Sequence, residues 1–122
     1  MRNISLLIVE DNPADALLIK EHLSENSGKQ YDIAVKETLT EAIERLKKND
    51  VEVVLLDLSL PDSSGLDTVR TLITKYPNVV IIVLTGLQDD QVALQAVRYG
   101  AQDYIEKKHI TSTLLNRSIS YS

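Results

Sequence analysis

Cysteine is absent from the 122 residues, so disulfides and thiolate metal sites are excluded, and the chain is compatible with a reducing compartment. Tryptophan is absent as well, which removes the usual fluorescent reporter of binding. Basic residues are outnumbered, 13 Lys and Arg against 18 Asp and Glu, for a net charge of −5. A nucleic-acid surface needs a Lys/Arg-rich face and none is visible, so direct contact with nucleic acid is not expected. No apolar run is long enough to cross a bilayer. The first, Ile4 to Val9, is cut off by Glu10 and Asp11, which also disqualifies it as the core of a secretion signal; no membrane contact and a cytoplasmic location are expected. Low-complexity tracts and long linkers are missing, and the length suits one domain with a full core and leaves no room for a second.

What the chain does have is a set of short apolar runs, each ending at a residue useful to phosphoryl chemistry. Ile4 to Val9 stops at Glu10-Asp11, Val51 to Leu56 at Asp57, Val79 to Leu84 at Thr85, and Asp103 to Ile105 just before Lys107. Runs this short, separated by helical patterns, read as buried parallel strands, with Tyr31 to Val35 as another. The first helix opens at Asn12-Pro13, a cap followed by a proline suited to the first helical position, and extends to about Glu25, with Ser27-Gly28 beyond it. Thr38 to Lys48 buries Leu39, Ala42, Ile43 and Leu46 at 3-4 spacing and ends at Asn49-Asp50. Leu66 to Tyr76 stops at Pro77-Asn78, Gln88 to Tyr99 stops at Gly100, and Ser112 starts a fifth helix. The pattern is α/β, (βα)₅: an open, doubly wound parallel sheet with helices on both faces. Leu114, Leu115 and Ile119 give the last helix barely one and a half turns of apolar stripe, so the domain over 1–122 is expected to belong to a longer polypeptide that continues past Ser122.

Parallel strands bring their carboxyl ends to one edge, where α/β sheets place their ligands. Glu10, Asp11 and Asp57 would then crowd several like charges within a few ångströms, an arrangement that calls for a cation. All-oxygen ligands select hard ions, and Mg²⁺ keeping several of its waters suits two or three carboxylates. Lys107 offers a point charge and Thr85 a neutral hydroxyl to phosphoryl oxygens, while Gly86 leaves room for close approach.

These residues carry a family resemblance. The stretch Asp57-Leu58-Ser59-Leu60-Pro61-Asp62-Ser63-Ser64-Gly65 resembles the phospho-acceptor loop of the receiver domains of two-component response regulators, and Gly100 to Lys107 resembles their final strand. The resemblance implies a flavodoxin-like, CheY-like fold with strand order 2-1-3-4-5. It makes Asp57 the nucleophile that takes a phosphoryl group from a sensor histidine kinase or a phosphotransfer protein. Glu10, Asp11, Asp57 and the Ser59 backbone carbonyl would hold Mg²⁺. Lys107 and Thr85 would contact the phosphoryl oxygens, and Tyr104 would be the switch aromatic. Phosphorylation would shift a two-state equilibrium on the face built from the fourth helix, fifth strand and fifth helix, which would meet an output domain, an effector or a second copy of the chain. The domain would be a signalling module, not an enzyme in the usual sense, catalysing only its own phosphoryl transfer and dephosphorylation.

One departure concerns Lys108, which stands where the family often has a proline after a cis bond; without proline a cis bond costs a few kcal/mol, so a trans Lys107–Lys108 bond is expected. Two other readings stay open. A hydrolase of the haloacid-dehalogenase type also uses a strand-end Asp, but needs a second Asp two residues later where this chain has Ser59. A pseudo-receiver would only bind proteins, against which the intact acid, hydroxyl and amine set argues. His22 and His109 read as surface residues, and Leu18 as an exposed contact for a kinase or phosphotransfer helix.

Overall fold

The computed structural model describes residues 3–25, 30–86 and 90–120. The apolar runs form strands β1 (Ile4–Val9), β2 (Tyr31–Lys36), β3 (Val53–Asp57), β4 (Val80–Thr85) and β5 (Asp103–Glu106). The helices are α1 (Pro13–Ser24), α2 (Leu39–Leu46), α3 (Leu66–Lys75), α4 (Asp90–Tyr99) and α5 (Ser112–Ser120). All main-sheet pairings are parallel and the order is β2-β1-β3-β4-β5, as expected. The chain leaves β1 for one side of the sheet, then returns to build the other side from β3 onward. The switch point therefore lies between the carboxyl ends of β1 and β3, the position where open α/β sheets leave a crevice.

Strand alternation divides the core in two. Leu7, Val9, Val54, Leu56 and Val83 face α2 and α3, meeting Ala42, Leu46, Val69 and Leu72. Leu6, Ile8, Leu55, Ile82 and Leu84 face α1 and α5, meeting Ile19, Leu23, Leu115 and Ile119. Four helices thus bury at least one large aliphatic side chain, whereas the fully buried residues of α4 are Ala93 and Ala96 alone, with Val92 packed part-way.

Local signals set the helix ends. Asn12 caps α1, its side-chain oxygen accepting from the amides of Ala14 at 2.9 Å and Asp15 at 3.2 Å. Thr38 caps α2 through the Glu41 amide at 3.0 Å, and Asn49, with φ of 58°, turns the chain out of the helix. Gly65 enters α3 at φ 64° and ψ −148°, a conformation open in practice only to glycine.

The structure trims several expectations. Strands β3 and β4 begin at Val53 and Val80, not at Val51 and Val79, and α3 ends at Lys75, with Tyr76 as its cap. Ile43 is half-buried because α2 presents only a narrow stripe to the sheet. Leu17 and Leu18 are both exposed while Ile19 is buried, so α1 does not bury a wide stripe. His109 is exposed, but His22 is only partly so and sits 3.7 Å from Glu25. Two features were not anticipated: a short antiparallel hairpin of Ser59–Leu60 with Ser63–Ser64, and a 3₁₀ turn over Lys107–His109. The Lys107–Lys108 bond is trans, as expected. Ser27-Gly28, Gln88 and Ser122 lie outside the described residues.

Candidate functional site

Alternation along β1 and β3 points Glu10 and Asp57 to the same face as Leu6, Ile8, Val53 and Leu55, toward α1 and α5. Both acids are buried at the ends of apolar strands, Glu10 at 1% and Asp57 at 4% relative exposure. Asp11, next in the chain, is exposed, and carboxylate oxygens of Glu10, Asp11 and Asp57 lie within 4.8 Å of one another. Lys107, delivered by the 3₁₀ turn after β5, reaches across with its Nζ 2.5 Å from Glu10 Oε1 and 3.2 Å from Asp57 Oδ2. Three of the expected strand-end acids and the amine are therefore together.

The charge balance is uneven. Burial raises the Glu10 carboxyl to about 7; the Lys107 contact pulls it down, and the neighbouring Asp57 carboxylate adds to the rise. Burial would by itself lower the Lys107 ammonium, but Glu10 and Asp57 outweigh it and hold the group above its ordinary value. One ammonium thus faces more negative charge than it neutralises. The donor set fits a hard divalent cation: three carboxylates converge, all donors are oxygens, and one buried acid resists ionisation until more positive charge arrives.

Thr85 closes β4 one residue beyond Leu84, the register partner of Asp57, and its own partner in β5 is Glu106, just before Lys107. The side chain is buried, and among the described residues its Oγ1 has no hydrogen-bond partner. A buried hydroxyl without a partner is uncommon and marks this end of β4. Ser59 is exposed, and its amide makes a long 3.4 Å contact to Asp57 Oδ1. Tyr104 is 41% exposed.

Two participants escaped the sequence reading. Asp15 Oδ2 lies 3.4 Å from Lys107 Nζ, a third carboxylate on the same amine. Nothing local in the sequence links it to Lys107, 92 residues away. Asn12, read only as a cap, also donates its amide to Glu10 Oε2 at 3.2 Å.

The model of the response regulator receiver domain matches residues 6–118. The chain belongs to that family. Similar to this receiver domain are the regulatory protein LuxO of Vibrio cholerae, 34% identical over 100 residues, and the cell cycle response regulator CtrA of Brucella ovis, 32% identical over 112. These alignments cover 82% and 92% of the receiver domain but only 21% and 47% of the two relatives, so the chain spans less than half of each. Among solved structures, the receiver domain of a LuxO repressor protein from Vibrio parahaemolyticus superposes with a TM-score of 0.84 at 28% identity, covering 98% of this chain and 89% of that one. A response regulator receiver domain from Clostridium thermocellum gives the same TM-score and identity, covering 97% and 92%. Phosphorylation on aspartate is the general function of the family, whose members pair with kinases and output domains. Family membership leaves the hydrolase alternative without support. No helix among the described residues is long and apolar enough to cross a membrane.

Proposed function

We propose that Asp57 is the phosphoryl acceptor of this receiver domain, that Glu10, Asp11, Asp57 and the Ser59 carbonyl hold Mg²⁺, and that phosphorylation alters the face formed by α4, β5 and α5. The observation that carries the reading is a buried strand-end carboxylate with Lys107 Nζ 3.2 Å from one oxygen and two further acids within metal-binding reach.

The chemistry is in-line displacement. A carboxylate oxygen of Asp57 attacks phosphorus of a phosphohistidine or a small acyl phosphate, the bond to the leaving group breaks, and its electron pair departs with imidazole or carboxylate. Bound Mg²⁺ supplies charge neutralisation on the nucleophile and the transferred oxygens. Lys107, already paired with Asp57, stays as a donor to the new phosphoryl oxygens. Thr85, with its hydroxyl unspent, gains its first partner when those oxygens arrive. Displacement of Thr85 toward the phosphoryl group would open space near β5, which the exposed ring of Tyr104 would turn inward to fill. Water attacking the acyl phosphate would return Asp57 to its starting state, the domain's own dephosphorylation.

Leu17 and Leu18, exposed on α1 next to the site, would meet the helix of a histidine kinase or phosphotransfer protein. Leu94, Tyr99 and Tyr104 would contribute to contact with an output domain, an effector or a second protomer through α4-β5-α5. The deciding experiment is intact mass after incubation with acetyl phosphate and Mg²⁺, beside Asp57→Asn and a chelated control. A single phosphoryl adduct that requires both Asp57 and metal supports the reading. A folded protein that forms no adduct is a pseudo-receiver.

A further inference from the structure

The carboxylate of Asp62 does no work in the reaction just described, yet it is among the best-bonded acids of the domain. It accepts the Leu39 amide on Oδ1 at 2.8 Å, and the Thr40 amide and Thr40 hydroxyl on Oδ2 at 3.0 and 2.8 Å. The two amides belong to the first turn of α2, 23 and 22 residues away in sequence. These donors hold the Asp62 carboxyl below its ordinary value, the Leu39 amide foremost.

Its place in the chain gives this bond set a second meaning. Ser59–Leu60 pairs with Ser63–Ser64, so Pro61 and Asp62 form the tip of the hairpin that starts two residues after Asp57. The base of the hairpin is fixed by Leu58 and Leu60, buried at 3% and 8%, and by the Gly65 amide donating to the Leu58 carbonyl at 2.8 Å. Ser59 lies between those anchors, opposite Ser64, and is exposed, its amide 3.4 Å from Asp57 Oδ1. Its carbonyl direction is therefore set by the two ends of the hairpin, and Asp62 supplies the outer end. We infer that Asp62 is a positioning residue for the metal site: by clipping the hairpin tip to the start of α2, it aims the Ser59 carbonyl. The inference rests on the proposed metal ligation.

A plain helix cap would explain the same three hydrogen bonds, so the test must separate capping from aiming. Thr38 supplies the control, because it caps the same helix through the Glu41 amide at 3.0 Å without touching the acceptor loop. Magnesium affinity is measured by calorimetry or amide chemical shifts on the intact chain carrying Asp62→Ala, Asp62→Asn or Thr38→Ala, with melting temperatures alongside. Losing a direct outer-shell partner weakens metal binding roughly 10- to 100-fold, and Asp62 acts at one remove, so Asp62→Ala should raise the Kd about three- to tenfold. Asp62→Asn, which keeps one acceptor oxygen, should fall between Asp62→Ala and wild type. Thr38→Ala should lower the melting temperature comparably and leave the Kd within about twofold, since cap loss alone acts on the helix. An unchanged Kd in both Asp62 variants, with melting lowered as in Thr38→Ala, would reduce Asp62 to a cap and overturn the inference. Wild-type protein that shows no Mg²⁺ binding sensitive to Asp11→Asn would overturn the metal reading itself, and the inference with it.

Discussion

Replacing Glu10 with glutamine should remove a stability penalty of the metal-free protein that grows as the pH rises. Glu10 starts near 4.5 in an unfolded chain and sits at about 7 when folded. Below both values the acid is protonated in either state and contributes nothing. Between them the unfolded chain releases its proton first, so folding stability falls as the pH rises, and above 7 the full penalty is present. At about 1.4 kcal/mol per pH unit the ceiling is roughly 3 kcal/mol, of which about 2 kcal/mol accrues between about pH 5.5 and about pH 8. Both conditions lie above the pI of about 4.9, away from the point of least charge repulsion. Urea denaturation followed by circular dichroism, in EDTA, gives the stability of wild type and Glu10→Gln at each pH. The Lys107 contact is lost from the variant at both, so the change in their difference isolates the titration of Glu10. Glutamine should gain about 2 kcal/mol on wild type across this interval, and Mg²⁺ should flatten the wild-type decline by favouring the ionised acid. A difference that stays constant with pH, or that shrinks as pH rises, would show that Glu10 is not strained by burial in the metal-free site.

Two further substitutions test backbone and hydroxyl separately. Thr85→Val keeps the shape of a buried side chain but removes a hydroxyl that has no partner among the described residues, and should raise unphosphorylated stability by about 1 kcal/mol, seen as a melting temperature higher by roughly 4 °C; a lower melting temperature would mean that the hydroxyl is already satisfied. Gly65→Ala finds open space around its new Cβ but must hold φ at 64°, so urea denaturation should show a loss of about 1–3 kcal/mol from backbone strain alone, and a loss below about 0.5 kcal/mol would refute that assignment.

Most of this architecture was legible because the strands are short, apolar on both faces and punctuated by acids, so period and boundary were read from the same residues. Strand-end chemistry followed from parallel topology: once β1 and β3 were neighbours, Glu10 and Asp57 had to meet. Local periodicity was less informative where both faces of a helix carry leucine. Leu18 reads as an exposed contact or as part of a wide buried stripe with equal ease, and the fold leaves both it and Leu17 exposed. The partners of Asp15 and Asp62 went unread for another reason. Each finds its partner across the fold, Asp15 on Lys107 and Asp62 on the start of α2, and neither separation leaves a periodic trace. Lys107 itself was placed at a strand end, whereas the chain bends into a 3₁₀ turn there, bringing the ammonium down onto Glu10.

The two alanines beneath α4 set how firmly that helix is held. A buried methyl contributes about 0.8 kcal/mol, against about 1.5–3 kcal/mol for the leucine, isoleucine or valine side chains that anchor the other helices. Leu94 and Tyr99, meanwhile, stand about half exposed, so α4 carries large apolar side chains outward while it buries small ones. Beyond the two alanines, Val92 packs only part-way against the core, so few large side chains of the described helix fix its present rotation. The helix that packs on β4 and β5, the strands leading to Thr85 and Lys107, is therefore also the one that is cheapest to roll.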